Sequence, residues 1–273
     1  MYYNEIIQEL MQDKRNPVNS MYLHEINLKW NNFEKLKEDT EIVEISQLVE
    51  ALNDFTVSIK NKKYQYNNST KNGFKPDSRL FSVTYLNDLI SLLVKRNRIV
   101  EKKGISWKIQ SFSTNLKFNP QNLGVMDKDL RFEQELSEKL LCLAQSLDFQ
   151  FRIKGTRNFK KYNIKFPLIV FFPMKILDES SFIKAEYQAR QAKATFERSK
   201  SIIVTETIEK KFIPDFDNSL IDALFILRKQ TVSRDENPIS IEVVEKMDRK
   251  ITEFLTENET VSTNFIRDGF LYK

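Results

Sequence analysis

Apolar residues follow two different spacings along this chain, and each spacing predicts a different kind of element. Residues 3–12, 19–38, 41–59 and 79–96 repeat apolar positions every three or four residues, which is typical of helices with one buried face. The same spacing returns near the end of the chain, over about 240–255. The pattern therefore predicts four helices at the start of the chain and one at its end.

The segment 160–207 has a different pattern, which predicts a strand, a helix and a second strand. Residues 164–172 are apolar at nearly every position, as in a strand that is buried on both faces. The helix begins after Asp178, and residues 201–207 form a second apolar run. A helix that joins two strands of one sheet makes them parallel, so this segment predicts the centre of an α/β sheet. The apolar stripe of the helix consists of Phe182, Ala185, Ala189, Ala192 and Phe196.

Between these two regions the pattern predicts a hairpin, a helix and another hairpin. The first hairpin covers 98–112, with Gly104 near its turn. The helix covers 127–146, and its buried side includes the leucines of that segment. The second hairpin joins strands over 148–153 and 159–172.

The best predicted boundary is the segment 113–125, which contains Asn119-Pro120 and Gly124. It divides the chain into a helical N-terminal domain, 1–120, and an α/β core domain, 126–273. Helices followed by a hairpin resemble a winged helix-turn-helix in outline. Near the end of the core the pattern leaves two alternatives open: a strand over 224–227, or a helix over 220–228.

Composition narrows the class of protein. The chain has 273 residues, 41% hydrophobic and 30% charged, which is typical of a globular protein. A single cysteine, Cys142, excludes an internal disulfide and agrees with the cytoplasm. No run of 18 apolar residues occurs, so we expect no membrane span, and the first residues do not have the pattern of a signal peptide.

The sequence also excludes several kinds of active site. Its 5 glycines are too far apart for a phosphate-binding loop, which argues against NTPases and dinucleotide enzymes. His24 is the single histidine and Cys142 lies within an apolar run, so a structural role is expected for both. A zinc site needs three or four histidine, cysteine or carboxylate ligands, so it is disfavoured as well. Carboxylates and lysines remain, and together they can hold Mg²⁺ and act on a phosphodiester.

Residues 127–207 resemble the core of the PD-(D/E)XK nucleases, a family that includes many restriction enzymes. The order is similar: an acidic helix, a hairpin, a crossover helix and a parallel strand. The resemblance implies a restriction-endonuclease-like mixed sheet with flanking helices. It also implies that Asp148 binds the metal and that Lys165 is catalytic. The sequence Asn163-Ile-Lys165 has an asparagine where the family has a carboxylate, so Glu133 or Glu135 would complete the Mg²⁺ site.

Two clusters of basic residues predict contact with nucleic acid, because lysine and arginine on projecting hairpins bind phosphates. The net charge of +5 is modest, so the clustering matters more than the total. The first cluster consists of Lys95, Arg96, Arg98, Lys102, Lys103 and Lys108. The second consists of Lys154, Arg157, Lys160, Lys161 and Lys165, among aromatic residues that could stack on bases.

Two functional hypotheses follow for this α/β protein, which is α+β overall. In the first, the chain interacts with DNA and is a divergent Mg²⁺-dependent endonuclease of the restriction type. In the second, it is a non-catalytic subunit of a phage-defence or mobile-element complex, with protein partners or as a homodimer. Asp148 favours the first hypothesis and Asn163 favours the second.

Overall fold

A mixed sheet lies at the centre of the structure, with helices on both of its faces. The computed structural model describes residues 3–12, 20–38, 43–59, 78–103, 105–111, 139–152, 159–195, 197–233 and 236–268. The helices within these ranges are α1 (Tyr3–Gln12), α2 (Ser20–Glu38), α3 (Ile45–Ile59), α4 (Thr84–Arg96), α5 (Arg98–Lys103), α6 (Glu179–Thr195) and α7 (Ile241–Asp268). The strands are β1 (Ser106–Ser111), β2 (Lys139–Arg152), β3 (Phe159–Leu177), β4 (Lys200–Ile208) and β5 (Ala223–Ile226).

The five strands lie side by side in chain order. β1, β2 and β3 pair antiparallel, whereas β3, β4 and β5 pair parallel. The helix α6 is the crossover between β3 and β4, which confirms the parallel unit predicted from segment 160–207. The mixed α+β architecture is therefore the predicted one.

Each face of the sheet has its own hydrophobic core. On one face α6 packs through Phe182, Ala185, Ala189 and Ala192, all of them buried, as the apolar stripe predicted. The fifth member of that stripe, Phe196, lies outside the described residues.

The other face is covered by the N-terminal helices together with α7. Trp30 of α2, Phe171 of β3 and Met247 of α7 belong to one continuous cluster of buried side chains. Asn53 of α3 also binds the backbone of Ile239, donating from Nδ2 to the carbonyl oxygen at 3.0 Å and accepting from the amide at 2.7 Å. This core draws on both predicted domains, and the division into 1–120 and 126–273 stays a prediction.

Most of the predicted elements are confirmed, within a few residues at their ends. Helices form at 3–12, 20–38 and 45–59, and the predicted final helix begins at Ile241. Residues 223–226 form a strand, which decides between the two alternatives for that segment. No helix in the described ranges has the length and apolar character that crossing a bilayer requires.

The helix predicted for 127–146 is wrong where the structure describes it, because Lys139–Arg152 is the strand β2. Leu140 and Cys142 face the core under α6, while Leu141 and Leu143 face the opposite core. A strand buried on both faces has apolar residues at every position, and such a run has no spacing that distinguishes it from a buried helix. Residues 127–138 lie outside the described residues.

The hairpin predicted for 98–112 is also wrong. Residues 98–103 form the short helix α5, and β1 pairs with β2 instead of with a preceding strand. The side chain of Asn97 explains the helix, because its Oδ1 accepts a 3.0 Å hydrogen bond from the amide of Ile99. The outline of a winged helix-turn-helix therefore lacks its hairpin.

Candidate functional site

The last residues of β2 and the first residues of β3 form a two-stranded ribbon that extends past the rest of the sheet. β1 pairs with β2 only as far as Ala144, and β4 pairs with β3 only from Ile169 onward. Residues 145–152 and 159–166 therefore pair with each other and with no third strand in the described part of the chain. We call this segment the ribbon.

The register of the ribbon brings the two predicted catalytic residues close together in the backbone. Asp148 lies opposite Asn163, and Lys165 lies opposite Ser146. Asp148 and Lys165 are therefore diagonal neighbours in this register, and the Cα atoms of such positions are roughly 7–8 Å apart.

The same ribbon contains part of the second basic cluster. Lys160 and Lys161 belong to β3 within the ribbon. Lys154 and Arg157 fall outside the described residues. Glu133 and Glu135 also lie outside them, so the predicted metal set stays a prediction.

The first basic cluster is divided among α4, α5 and β1. Lys95, Arg98 and Lys102 are exposed at the end of α4 and along α5. Lys103 ends α5, and Lys108 is in β1 opposite Cys142.

Arg96 differs from its neighbours in this cluster because it is half-buried against α7. Burial raises the pKa of Asp248 on α7, and the positive charge of Arg96 acts in the opposite direction. The charge of Arg96 therefore acts on Asp248 within the protein. The exposed charge of this cluster comes from Lys95, Arg98 and Lys102.

None of the lysines on β3 follows an acid at the spacing that the nuclease resemblance requires. The residues two positions before Lys160, Lys161, Lys165 and Lys175 are asparagine, phenylalanine, asparagine and proline. Among the described residues, no group of three or more histidine, cysteine or acidic side chains could hold a metal ion. The described part of the ribbon thus offers one carboxylate, Asp148, where Mg²⁺ would need several oxygen ligands.

Lys175 is a second lysine of interest that the sequence patterns did not indicate. It lies near the end of β3, where its Nζ is 5.6 Å from the centre of the Phe81 ring, and it is half-buried. It follows Pro173 by two residues, and the residues on either side of it, Met174 and Ile176, pair with Thr205 and Thr207 of β4. The signal in the sequence was a charged residue at the end of an apolar strand.

A buried charged network lies next to Lys175. Arg228 donates from Nε to Oε2 of Glu206 at 2.7 Å, and the hydroxyl of Tyr85 donates to the other carboxylate oxygen. Burial and the negative charge of Glu206 raise the pKa of Tyr85 well above its ordinary value. Burial alone would lower the pKa of Arg228, but the Glu206 carboxylate outweighs it and the pKa is raised. The network joins α4 to the sheet, and the partly exposed Glu236 extends it, with Oε2 at 3.4 Å from Nε of Arg228.

Comparisons with known proteins bear on the fold. No protein-family model and no curated protein matches the sequence. The structure is similar to a chain of the native BbvCI A2B2 tetramer, with a TM-score of 0.57 and 14% sequence identity, over 95% of this chain and 98% of that chain. BbvCI is a restriction endonuclease. The fold of this chain is therefore restriction-endonuclease-like, as the resemblance of residues 127–207 implied.

Proposed function

We propose that this chain is a DNA-binding protein of the restriction-endonuclease type that works as a subunit of a larger assembly. The observation that carries the proposal is the extent of the likeness to the BbvCI chain, which covers the N-terminal helices as well as the nuclease-like core. That chain belongs to an A2B2 tetramer, so its fold is one that associates with other subunits. A homodimer or a complex with a second kind of subunit would both agree with the proposal.

The charge distribution supports DNA as the ligand. Lys95, Arg98 and Lys102 are exposed within a short stretch of chain, and the single acid among them is Glu101. Cations of this kind bind phosphates without regard to sequence. The ribbon adds a second element, because a two-stranded ribbon has the dimensions to enter the major groove of DNA.

The residues of the ribbon do not by themselves fit a magnesium ion. Asp148 supplies one carboxylate, and the neighbouring Asn163 is neutral. We therefore favour a subunit that binds DNA and leaves cleavage to a partner.

A second candidate function is Mg²⁺-dependent cleavage of DNA by this chain itself. The register favours it, because Asp148 and Lys165 are diagonal neighbours in the pairing of β2 with β3. Glu133 or Glu135 would then have to supply the remaining carboxylate. Mg²⁺ bound by such a set would activate water for attack on a phosphodiester.

One experiment tests both candidates. Purified protein is titrated into fluorescently labelled duplex DNA at low salt, and binding is followed by anisotropy; the same mixtures are then incubated with Mg²⁺ and separated on a denaturing gel. Binding without cleavage is the expected result. Absence of binding to any duplex would contradict the proposed function, and Mg²⁺-dependent cleavage would favour the second candidate.

A further inference from the structure

A cavity of about 310 Å³ lies at the end of the sheet opposite to the ribbon. It is open to solvent on one side and is lined by α4, by the start of β2 and the later part of β3, and by the first turns of α6. Its walls are largely apolar, formed by Leu141, Phe171, Phe172 and Met174. The volume is near the lower end of the range, roughly 300–1,000 Å³, in which proteins hold small organic ligands.

A few polar side chains converge on these apolar walls. Ser181, Lys184 and Gln188 come from one side of α6, at spacings of three and four residues. Asn87 lines the same cavity from α4. Its Oδ1 is buried and has no hydrogen-bond partner among the described residues. An unpartnered buried amide oxygen is costly, and a ligand that donates a hydrogen bond to it would remove that cost.

These features together select a class of ligand. A hydrated phosphate would lose its water against the apolar walls without gaining enough hydrogen bonds in return. A planar heterocycle can pack its faces against the apolar walls while donors and acceptors on its edge bind the polar side chains. Asparagine and glutamine amides, present here as Asn87 and Gln188, pair well with the edges of nucleobases.

We propose that this cavity receives a nucleobase. The base is either turned out of a bound DNA duplex or supplied by a free nucleotide; the first source rests on the proposed DNA binding, and the second does not. A base leaves the duplex at a cost of a few kcal/mol, which stacking and edge hydrogen bonds in a pocket can offset. Oδ1 of Asn87 would accept a hydrogen bond from a donor on the edge of the base.

The test uses the full-length chain and two kinds of probe. In the first arm, duplexes carry 2-aminopurine at successive positions, and its emission rises when that base leaves the stack; anisotropy of the same duplexes reports binding separately. In the second arm, the four deoxynucleoside monophosphates are titrated in turn and binding is measured by calorimetry. The variant Asn87→Leu keeps the size of the side chain and removes the amide, and Arg190→Ala on the exposed side of α6 is the matched control.

We expect emission to rise at one or a few duplex positions, or one monophosphate to bind, and Asn87→Leu to weaken that response by roughly five- to thirtyfold. Arg190→Ala should leave it unchanged.

If Asn87→Leu proves unfolded by its melting curve, Lys184→Ala serves in its place, since Lys184 lines the same cavity from the helix surface. Bound duplex with no emission change at any position, together with no monophosphate binding, overturns the nucleobase proposal but leaves DNA binding intact. Monophosphate binding without duplex binding supports the cavity and contradicts the proposed function.

Discussion

Arg228 and Glu206 form a buried ion pair, in which Nε lies 2.7 Å from Oε2 and both side chains are 4% exposed. Nη1 of Arg228 also donates to the carbonyl oxygen of Asn237 at 2.5 Å. Tyr85 completes the carboxylate's partners from α4. The pair therefore holds together three parts of the chain that are far apart in sequence: α4, β4 and the segment after β5.

Arg228→Met should lower the free energy of unfolding by about 3–5 kcal/mol, because it leaves the Glu206 carboxylate buried without its cation. The double variant Glu206→Leu with Arg228→Met should lose less than the sum of the two single losses, since no uncompensated charge remains. Urea denaturation of the single and double variants measures these differences. Additive losses would show that the two side chains do not act as a pair.

The apolar stripe of α6 predicts the effect of a charge at its centre. Ala189 is fully buried against the sheet, so Ala189→Glu should cost about 3 kcal/mol or more, as an unpaired buried charge does. Ala194 is exposed on the same helix and makes a matched control. Ala194→Glu should melt close to the parent protein, and equal effects of the two substitutions would mean that α6 does not cover the sheet.

The start of α6 predicts a pH-dependent contribution to stability. Asp178 accepts hydrogen bonds of 2.7 Å from both the amide and the hydroxyl of Ser181, and these hold its pKa below the ordinary 3.8. Asp178→Ala should therefore cost about 1 kcal/mol at neutral pH, through the loss of the helix cap. Asp178→Asn keeps the cap and removes the titrating group.

The sign of the pH effect follows from the lowered pKa. Above the ordinary aspartate value the carboxylate is charged in both states, and its contribution is full. The contribution falls as the pH drops through the lowered pKa of the folded protein. Melting curves of the parent and Asp178→Asn should thus converge with falling pH, and a constant difference across the acid range would argue against the cap.

The sequence predicted those parts of the fold that have a clear spacing. α6 was found because Phe182, Ala185, Ala189 and Ala192 repeat as a helix face does, and all four are buried. The strand β2 was mistaken for a helix because its apolar residues serve two cores at once. Local spacing carries no information about a second buried face, and pairing between distant strands decides such a segment.

The candidate site was less predictable for a related reason. That Asp148 and Lys165 are diagonal neighbours depends on the register of β2 against β3, which the hydrophobic pattern of either strand alone leaves open. Glu206 could have been singled out, because a carboxylate within the apolar run of β4 requires a buried partner. Its partner Arg228 could not, since it lies in the turn that follows β5.

The exposed cations at the end of α4 and on α5 predict salt-dependent binding of DNA. The double variant Lys95→Ala with Lys102→Ala should weaken binding to any duplex and reduce the slope of log affinity against log salt by roughly 2, about 0.9 for each lost phosphate contact. Lys210→Ala with Lys211→Ala removes the same charge from another exposed segment and is the control. Equal slopes for the two double variants would exclude the α4–α5 surface from the interface.

Substitutions in the ribbon test whether this chain itself cleaves DNA. If it does, Asp148 contributes a ligand to the metal, and Lys165, its diagonal neighbour, places positive charge against the phosphate under attack. Asp148→Asn and Lys165→Ala should then each abolish Mg²⁺-dependent cleavage by the parent protein, with folding and DNA affinity nearly unchanged. Glu133→Gln and Glu135→Gln, made separately, identify the carboxylate that completes the set.

The reciprocal change Asn163→Asp restores an acid at the position that the nuclease resemblance requires. If the parent is inactive because that carboxylate is missing, Asn163→Asp should gain cleavage that depends on Lys165. A parent whose cleavage survives Asp148→Asn would remove the ribbon from the chemistry.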